Sequence, residues 1–447
     1  MSAPRELSVC EALNLMRRGE LKAEDLVLSC LDRIRSRENT IHAWAEVAEE
    51  NALLEARRCD DEFRAGRWRG DLHGIPIGVK DIIDVKGMWT RAGCAVYPAR
   101  VAEADAPAVK QARDAGAIIL GKTETTAFAN NDPAITRNPW NTEHTPGGSS
   151  SGSGAAVADR MCLAALGTQT GGSVLRPAAY NGVVGFKPTY ASVSLEGVIP
   201  VSQTLDHVGT LCRNVEDTVL LSPIIRNENP QPFAQMAVGF CAGDGRPFQE
   251  PFRFGYFRSF IEREADSSVK NHFESLLGRF RQAGAFVVDR EFSDSLTSAA
   301  QAHRIIMDTE LASNHREFFD SHREGYPPNI RARIETGMAI PGYQYVEAIR
   351  QRILFQKELS TVLSEVDAIL LPTAPSTAPR GLSSTGSPVF CVPWSMAGFP
   401  SITIPSGLDD QNLPVAVQIG TGPLQEKKLL AVASWCETLL PFAFSPA

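Results

Sequence analysis

The sequence predicts an α/β fold, in which a layered sheet is covered by helices. Short runs of β-branched and aliphatic residues at 75–79, 117–120 and 182–186 read as strands. Helical stretches lie between them, at 108–115 and 155–165. Strands that alternate with helices in this way are typical of α/β proteins.

The first 65 residues read as helices. Ser8 and Glu11 have the spacing of a capping box, in which a side chain at each position bonds the backbone of the other. A second helix has apolar residues at helical spacing, and these are Val27, Cys30, Leu31 and Ile34. A third helical segment is expected over 45–64.

The block from 225 to 360 has a different composition. We expect a loop at 227–232, strands at 252–257 and 286–288, and mostly helix over 300–360. Between the two strands, a helix is indicated by an apolar stripe of Val269, Phe273, Leu276, Leu277 and Phe280. Short strands return at 368–371, 401–404 and 415–419, and a last helix spans about 425–440. Pro372–Pro388 is rich in proline and serine and reads as a loop.

Composition excludes several classes of protein. The chain has 447 residues and a net charge of -8, so a general nucleic-acid partner is not expected. Its nine cysteines are scattered without a C-x-x-C pair, which favours reduced thiols over disulfides or zinc. No signal peptide or membrane span is indicated, and no His, Cys, Asp and Glu cluster has metal spacing. We therefore expect a cytoplasmic enzyme with no membrane association and no metal.

Two serines and one lysine carry the functional signal. Ser149 follows Gly147-Gly148, and Ser173 follows Gly171-Gly172, 24 residues later. A serine hydroxyl is a poor nucleophile until a base removes its proton. Lys80 lies in the apolar segment 75–83, where burial would lower its pKa and leave a neutral amine that can accept a proton. Strand alternation points the next residue, Asp81, to the other face.

The glycines beside Ser173 have a separate task. Acyl transfer passes through an oxyanion, which preorganised N–H donors must stabilise. The turn formed by Thr170, Gly171, Gly172 and Ser173 can direct several backbone N–H groups at one point, because glycine adopts backbone angles that other residues avoid. Taken alone, however, the segment around Ser149 also fits a flexible Gly/Ser loop, and Lys80 also fits a surface lysine at a strand end.

Several segments together resemble the amidase signature family, across nearly the whole chain. They are 72–76 with Lys80-Asp81, 114–123, 145–153, 168–173, 182–189, 397–405 and 413–415. The resemblance implies a single-domain amidase fold with a mixed, twisted central sheet covered by helices. It also implies a core over 70–225, a variable substrate-shaping region over 225–360, and a C-terminal part of the core over 366–447.

The resemblance also implies roles for individual residues. Ser173 would be the nucleophile, Ser149 would relay its proton after a cis peptide bond, and Lys80 would be the final base. Backbone N–H groups of the turn at Thr170, Gly171 and Gly172 would form the oxyanion hole. The segment 126–131 would shape the substrate pocket, with Asn130 and Asn131 as substrate-binding residues. No metal or organic cofactor is implied.

Three positions depart from the family pattern. Gln169 replaces the usual acid four residues before the nucleophile, and Leu175 replaces the usual arginine, with Arg176 displaced by one. Ser151 replaces a glycine of the serine loop. Since the Asp and Arg can pair in the family, their joint loss avoids leaving one buried charge without a partner.

Three other motifs fit less well. Residues 116–123 match the phosphate-loop pattern, but the match runs through a strand-like segment that cannot curl around phosphates. Residues 148–152 match G-x-S-x-G without a strand leading in. Ser267 and Lys270 match S-x-x-K but read more simply as the N-cap and first turn of a helix.

The sequence therefore predicts an amidohydrolase that cleaves C–N acyl bonds through a Ser173 acyl-enzyme. The substrate would be a small amide, or a carbamate, aryl amide or ester. The chain would act as a monomer or homodimer. The alternatives are a transamidation subunit that works on misacylated tRNA with a partner, and a non-catalytic binding scaffold.

Overall fold

An 11-stranded sheet runs through the molecule. The computed structural model describes residues 3–227, 251–292, 295–440, 442 and 445–446. The strands are β1 Trp44–Val47, β2 Pro76–Lys80, β3 Trp89–Thr90, β4 Arg100–Val101, β5 Ile118–Thr123, β6 Ala164–Gln169, β7 Val184–Lys187, β8 His207–Cys212, β9 Arg253–Tyr256, β10 Phe286–Asp289, β11 Ala368–Pro372, β12 Ser401–Leu408 and β13 Pro414–Gly420.

The strand order is β1-β5-β2-β6-β8-β7-β12-β13-β11-β9-β10, while β3 and β4 form a separate pair. The sheet is mixed: β2 runs parallel to β5 and β6, whereas β6, β8 and β7 pair antiparallel. This confirms the expected mixed central sheet. Strand β2 carries Lys80, and strand β6 leads into the segment that contains Ser173. The two strands are neighbours inside the sheet.

The described helices lie between and around these strands. They are α1 Val9–Arg17, α2 Ala23–Ile41, α3 Glu49–Arg64, α4 Pro107–Asp114, α5 Ser151–Ala158, α6 Leu175–Asn181, α7 Val215–Ile224, α8 Arg258–Glu264, α9 Ser267–Gln282, α10 Ser295–His322, α11 Pro328–Ala339, α12 Gly342–Leu363, α13 Val392–Ala397 and α14 Glu426–Leu439. Short 3-10 helices occupy Pro4–Glu6, Ala127–Ala129 and Arg323–Gly325.

Local signals in the sequence account for several of these elements. Helix α1 begins with the expected capping box, in which Ser8 and Glu11 each accept a backbone N–H of the other. Helix α9 buries its expected apolar stripe, from Val269 to Phe280. Its N-cap is Asp266, so Ser267 is the first helical residue rather than the cap itself.

Three strands of the 11-stranded sheet, and the short separate pair β3 and β4, are not predicted by the sequence patterns. The segment expected to be helical over 45–64 starts as strand β1, because Trp44–Val47 pairs with β5 at the sheet edge. The helix expected over 155–165 ends at Ala158, and Ala164–Gln169 is the central strand β6. Strand β8 shows no distinct pattern of its own. The loop expected at 227–232 lies outside the described residues beyond Asn227.

Apolar side chains form two large clusters. One packs the N-terminal helices against β2, β5, β6 and helix α5, and the other packs α9, α12 and α14 against the C-terminal strands. Helix α10 contributes to both clusters and packs against α11 and α12. No helix within the described ranges is long and apolar enough to cross a membrane.

Candidate active site

Lys80 ends strand β2 with a completely buried side chain. Its Nζ lies 2.7 Å from the Ser149 hydroxyl and 2.7 Å from that of Thr168. Burial lowers the pKa of Lys80 well below its ordinary value of 10.5. The neutral amine can donate to Thr168 and still offer its lone pair to Ser149, as a general base requires.

No ion pair holds Lys80 within the described structure. The carboxylate that acts on its pKa is Asp206, which itself accepts the Thr170 hydroxyl at 2.5 Å. Burial raises the pKa of Asp206 to about 6, against its hydrogen bonds. Asp81 points to the opposite face of the strand, as expected, and pairs with the buried Lys122 at 2.8 Å.

The Ser149 loop connects a cis peptide to a helix. The Gly148–Ser149 bond is cis, and α5 begins at Ser151. Gly147 has a φ of 80°, a conformation that favours glycine. The hydroxyl of Ser151 donates to the Gly147 carbonyl at 2.8 Å, so this departure from the family pattern stabilises the loop.

Ser173 lies in the turn between β6 and α6, half-buried beside a cavity. The two serine segments meet through the main chain, where the Ser150 N–H donates to the Ser173 carbonyl at 3.3 Å. No hydrogen bond joins the Ser149 and Ser173 hydroxyls among the contacts of the described chain. Catalytic hydrogen bonds are often long without substrate and shorten when it binds.

Two distant side chains orient the peptides before Ser173. His303 Nε2, on α10, donates to the Thr170 carbonyl at 2.9 Å, and the Ser395 hydroxyl, on α13, donates to the Gly171 carbonyl at 2.8 Å. In a trans peptide the N–H points opposite to the carbonyl. Both contacts therefore turn the N–H groups of Gly171 and Gly172 away from His303 and Ser395.

These N–H groups are available to a ligand. Within the described residues, the backbone N–H groups of Gly171, Gly172 and Ser173 donate to no protein acceptor. Free donors next to the candidate nucleophile can stabilise an oxyanion. Thr170 takes part through its carbonyl and its hydroxyl, which are held by His303 and Asp206.

The neutral Gln169 caps the helix that follows Ser173. Its Oε1 accepts the N–H groups of Val174 and Leu175 at 2.9 and 3.0 Å, and its Nε2 donates to Ser395 at 3.1 Å. The amide thus satisfies donors at the start of α6 without introducing a charge.

The exchange at 169 and 175 nevertheless leaves a buried cation, contrary to expectation. Arg176 is only 5% exposed. Its Nη2 donates to the Gly148 carbonyl at 2.7 Å and to the Thr385 hydroxyl at 3.1 Å, while its Nε has no partner. Arg176 is directed towards the Ser149 loop, and its charge is retained.

A cavity of about 610 Å³ opens in front of Ser173. Asn130 and Asn131, predicted to bind substrate, both lie on its wall. The block from 225 to 360 contributes residues of α10 and α11 to the wall, including Arg304 and Arg333. The Pro372–Pro388 loop contributes Ser383, Ser384, Thr385, Gly386 and Pro388. The cavity is therefore enclosed mainly by segments outside the strands that carry the candidate catalytic groups.

The competing motifs have structural roles. Lys122 lies in the segment that matches the phosphate-loop pattern, and its side chain forms a buried ion pair with Asp81. Ser150, at the centre of the G-x-S-x-G match, donates to the Thr168 carbonyl from a fully buried position. Over the described part of the chain, no group of three or more His, Cys, Asp or Glu could hold a metal.

Several contacts escape prediction from the sequence. Thr168, Asp206, His303 and Ser395 reach the site from four separate segments, and no local motif marks Asp206, His303 or Ser395. For Thr168 a signal did exist, because it lies five residues before the candidate nucleophile in the same glycine-rich segment.

Comparisons with known proteins agree with this architecture. The amidase family model matches residues 25–430. A glutamyl-tRNA(Gln) amidotransferase subunit from Lachnospira eligens is 31% identical, covering 90% of this chain and 91% of its own. The same subunit from Clostridium novyi is 32% identical, covering 92% of each.

Solved structures show the same fold. The crystal structure of an amidase has a TM-score of 0.87 and 32% identity, covering 97% of this chain and 100% of its own. The native peptide amidase from Stenotrophomonas maltophilia has a TM-score of 0.82 and 28% identity, covering 99% and 98%. With the family match spanning most of the chain, the protein belongs to the amidase signature family.

Proposed function

We propose that the protein hydrolyses the C–N bond of a small amide through an acyl-enzyme on Ser173. The observation that carries this proposal is the buried Lys80 at 2.7 Å from Ser149, beside the free N–H groups of the turn before Ser173. A binding scaffold has no need for an uncompensated lysine in a dry site, where its charged form is costly.

The chemistry follows from these positions. Ser173 Oγ attacks the amide carbonyl while its proton passes to Ser149, and the Ser149 proton passes to Lys80. The oxyanion is bound by the N–H groups of Gly171 and Gly172. The relay then returns a proton to the leaving nitrogen as the C–N bond breaks. Water attacks the acyl-enzyme through the same relay, which releases the acid and restores the Ser173 hydroxyl. Carbamates and esters can pass through the same steps.

A fluorophosphonate probe tests the nucleophile directly. We expect it to label the wild-type chain, while Ser173→Ala abolishes labelling and Ser149→Ala or Lys80→Met slows it by about 100-fold or more. Ser150→Ala is the matched control, because Ser150 lies beside Ser149 but bonds the Thr168 backbone. Labelling that persists in Ser173→Ala would show that the nucleophile is another residue.

The curated relatives favour a second candidate, the amidotransferase subunit. In that role Ser173 would release ammonia from an amide donor for a partner subunit. The same acyl-enzyme serves both functions, so the fate of the ammonia and the need for a partner separate them. Turnover of a panel of amides, anilides, carbamates and esters by the isolated chain supports the hydrolase. Ammonia release only when an amidotransferase partner is added supports the second candidate.

A further inference from the structure

A second cavity, of about 490 Å³, lies apart from the cavity in front of Ser173. The two cavities share no lining residue. The chain from 124 to 132 contributes to both, with Glu124 in the wall of the second cavity and Asn130 in the wall of the first. A ligand can therefore occupy the second cavity without contacting Ser173.

The wall of the second cavity is mostly apolar. Small and apolar residues form the larger part of it, and five of them are alanines. Its charged residues are Asp81, Arg91, Glu124 and Asp132. In the described part of the chain, no group of three or more His, Cys, Asp or Glu could hold a metal, so these acids do not form a metal site. A wall of this kind suits the hydrocarbon part of an organic ligand.

Two of the four charged residues already form ion pairs. The carboxylate of Asp81 lies 2.8 Å from Lys122, and the guanidinium of Arg91 lies 2.8 Å from Glu46. Neither charge needs a ligand to balance it.

Asp132 is satisfied by main-chain donors. One of its carboxylate oxygens accepts the N–H of Asn329 at 3.0 Å, and the other accepts the N–H of Ile330 at 2.8 Å. Both donors belong to the first turn of α11, where the free N–H groups of a helix favour a carboxylate. Both oxygens of Asp132 are therefore already hydrogen-bonded.

Glu124 is left without a counter-charge. Among the described residues, no lysine or arginine forms an ion pair with its carboxylate, and the hydrogen bond that favours its ionised form comes from the Thr125 N–H. Burial, together with repulsion from Asp81, raises the pKa of Glu124 to about 7. An ionised carboxylate is costly in this position, and a bound cation would remove that cost.

The surrounding charges favour a cation over an anion. When the partners of the paired groups are included, four carboxylates and two cations surround the cavity. The resulting negative potential attracts a positive ligand. The apolar wall adds the requirement for a hydrocarbon part, which a hydrated inorganic ion lacks.

We propose that the second cavity binds a small organic ammonium ion, with its ammonium group on Glu124 and its hydrocarbon part against the apolar wall. The ion is a second ligand rather than the substrate, because Ser173 does not line this cavity. The site goes beyond the proposed function and does not depend on it.

Calorimetry on the wild-type chain provides the first test. The probe is n-butylammonium at a pH of about 8, and 1-butanol is its neutral isostere. We expect a Kd of about 1 mM or below for butylammonium, and binding of 1-butanol that is weaker by about tenfold or more. Equal affinity for the two probes, or no binding of butylammonium, overturns the proposal.

Glu124→Gln provides the second test, since glutamine keeps the size of the side chain but has no charge. We expect butylammonium to bind about tenfold or more weakly, with 1-butanol changed by less than about twofold. Asp132→Asn is the matched control, because Asp132 lines the same cavity and asparagine also caps helices. Its affinity for butylammonium should stay within about threefold of the wild type. If Asp132→Asn weakens binding as much as Glu124→Gln does, Glu124 does not hold the ammonium group.

A third variant tests the position of the ligand without changing Glu124. Ala134 lines the cavity and is only partly buried, so Ala134→Leu fills space there without entering the core. We expect it to weaken both butylammonium and 1-butanol. Wild-type affinity for both probes would place the ligand elsewhere.

Modification of Ser173 separates this site from the proposed function. A fluorophosphonate bound to Ser173 fills the first cavity, and we expect butylammonium binding to the modified chain to be unchanged. Loss of binding on modification would place the ammonium ion in front of Ser173 and overturn the proposal. If the probe does not label the chain, the proposed function fails, while the comparison of wild type with Glu124→Gln still tests the second cavity.

Discussion

Two buried lysines, Lys80 and Lys122, show how one residue type can have two different roles. Lys122 and Lys80 end on opposite faces of neighbouring parallel strands. Lys122 meets the carboxylate of Asp81, which favours its charged form, whereas Lys80 meets two hydroxyls and no carboxylate. Burial lowers the pKa of both lysines, but at Lys122 the Asp81 carboxylate opposes this effect, whereas Lys80 contacts no carboxylate and is left as a neutral, basic amine.

The depressed pKa of Lys80 makes activity depend on pH. Only the neutral amine can take the proton of Ser149, so kcat/KM should fall as the pH drops through the folded-state pKa of Lys80. We expect an acid limb with a slope of one proton, at an apparent pKa well below 10.5. A pH–rate profile on a neutral amide measures it, and a flat profile down to a pH of about 5 would exclude Lys80 as the base.

The free energy of unfolding should also depend on the protonation of Lys80. Between the folded-state pKa of Lys80 and 10.5, the unfolded chain holds a proton that the folded chain lacks, so the free energy of unfolding rises with pH. One proton is worth about 1.4 kcal/mol per pH unit in that window. Urea unfolding across the window should show this slope in the wild type beyond that of Lys80→Met. Equal slopes would mean that Lys80 is charged in the fold.

At the scale of elements, the site depends on helices that are far away in the chain. Helix α10 places His303 against the Thr170 carbonyl, and α13 places Ser395 against that of Gly171. The turn before Ser173 gains its orientation from these contacts, because its own N–H groups bond nothing in the described protein. His303 and Ser395 are thus positioning residues for the proposed oxyanion hole.

Replacing His303 should affect catalysis more than binding. His303→Ala removes the donor that fixes the Thr170–Gly171 peptide, so we expect kcat to fall by about 10- to 100-fold with KM changed less than about threefold. His303→Gln keeps an N–H donor and should recover part of the loss. Burial lowers the pKa of His303 to about 4, so the effect should be constant above a pH of about 6. A change confined to KM would place His303 in substrate binding instead.

The sequence predicts some helices and strands better than others. Strand β2 and helix α9 follow from their apolar patterns. Strand β6 does not, because Ala164–Gln169 contains residues that are poor strand formers. Its Gly167 is needed for packing, since a Cβ there would come within 2.8 Å of the Ser150 hydroxyl. Contacts such as Asp206–Thr170 arise only when distant segments meet, so no local pattern could indicate them.

At the scale of the whole molecule, the candidate catalytic groups and most of the cavity wall come from different parts of the chain. Strand β2 holds Lys80 and strand β6 leads to Ser173, while helices α10 and α11, from the block 225–360, close the cavity. The two helices are joined by the ion pair between Asp308 and Arg333. This division lets the cavity change its lining while the groups proposed for catalysis stay fixed.

The close packing of α10 against α11 depends on Gly337. A Cβ at this position would overlap the backbone carbonyl of Asp308 and approach Ala312 to 2.8 Å. Gly337→Ala should therefore push α11 away from α10 and reduce the free energy of unfolding by about 1–3 kcal/mol. Because α11 carries Arg333 and Asn329 into the cavity, KM should also rise.

Gly278 offers the matched control, with the opposite sign. It lies inside helix α9, and a Cβ there would meet nothing within 4 Å. Gly278→Ala should therefore raise the free energy of unfolding by about 0.5–1 kcal/mol, because alanine loses less conformational entropy than glycine in a helix. Chemical denaturation measures both variants, and substrate kinetics should change only for Gly337→Ala. If both substitutions stabilise the protein, α10 and α11 must have room to move, and the cavity wall is not fixed by their contact.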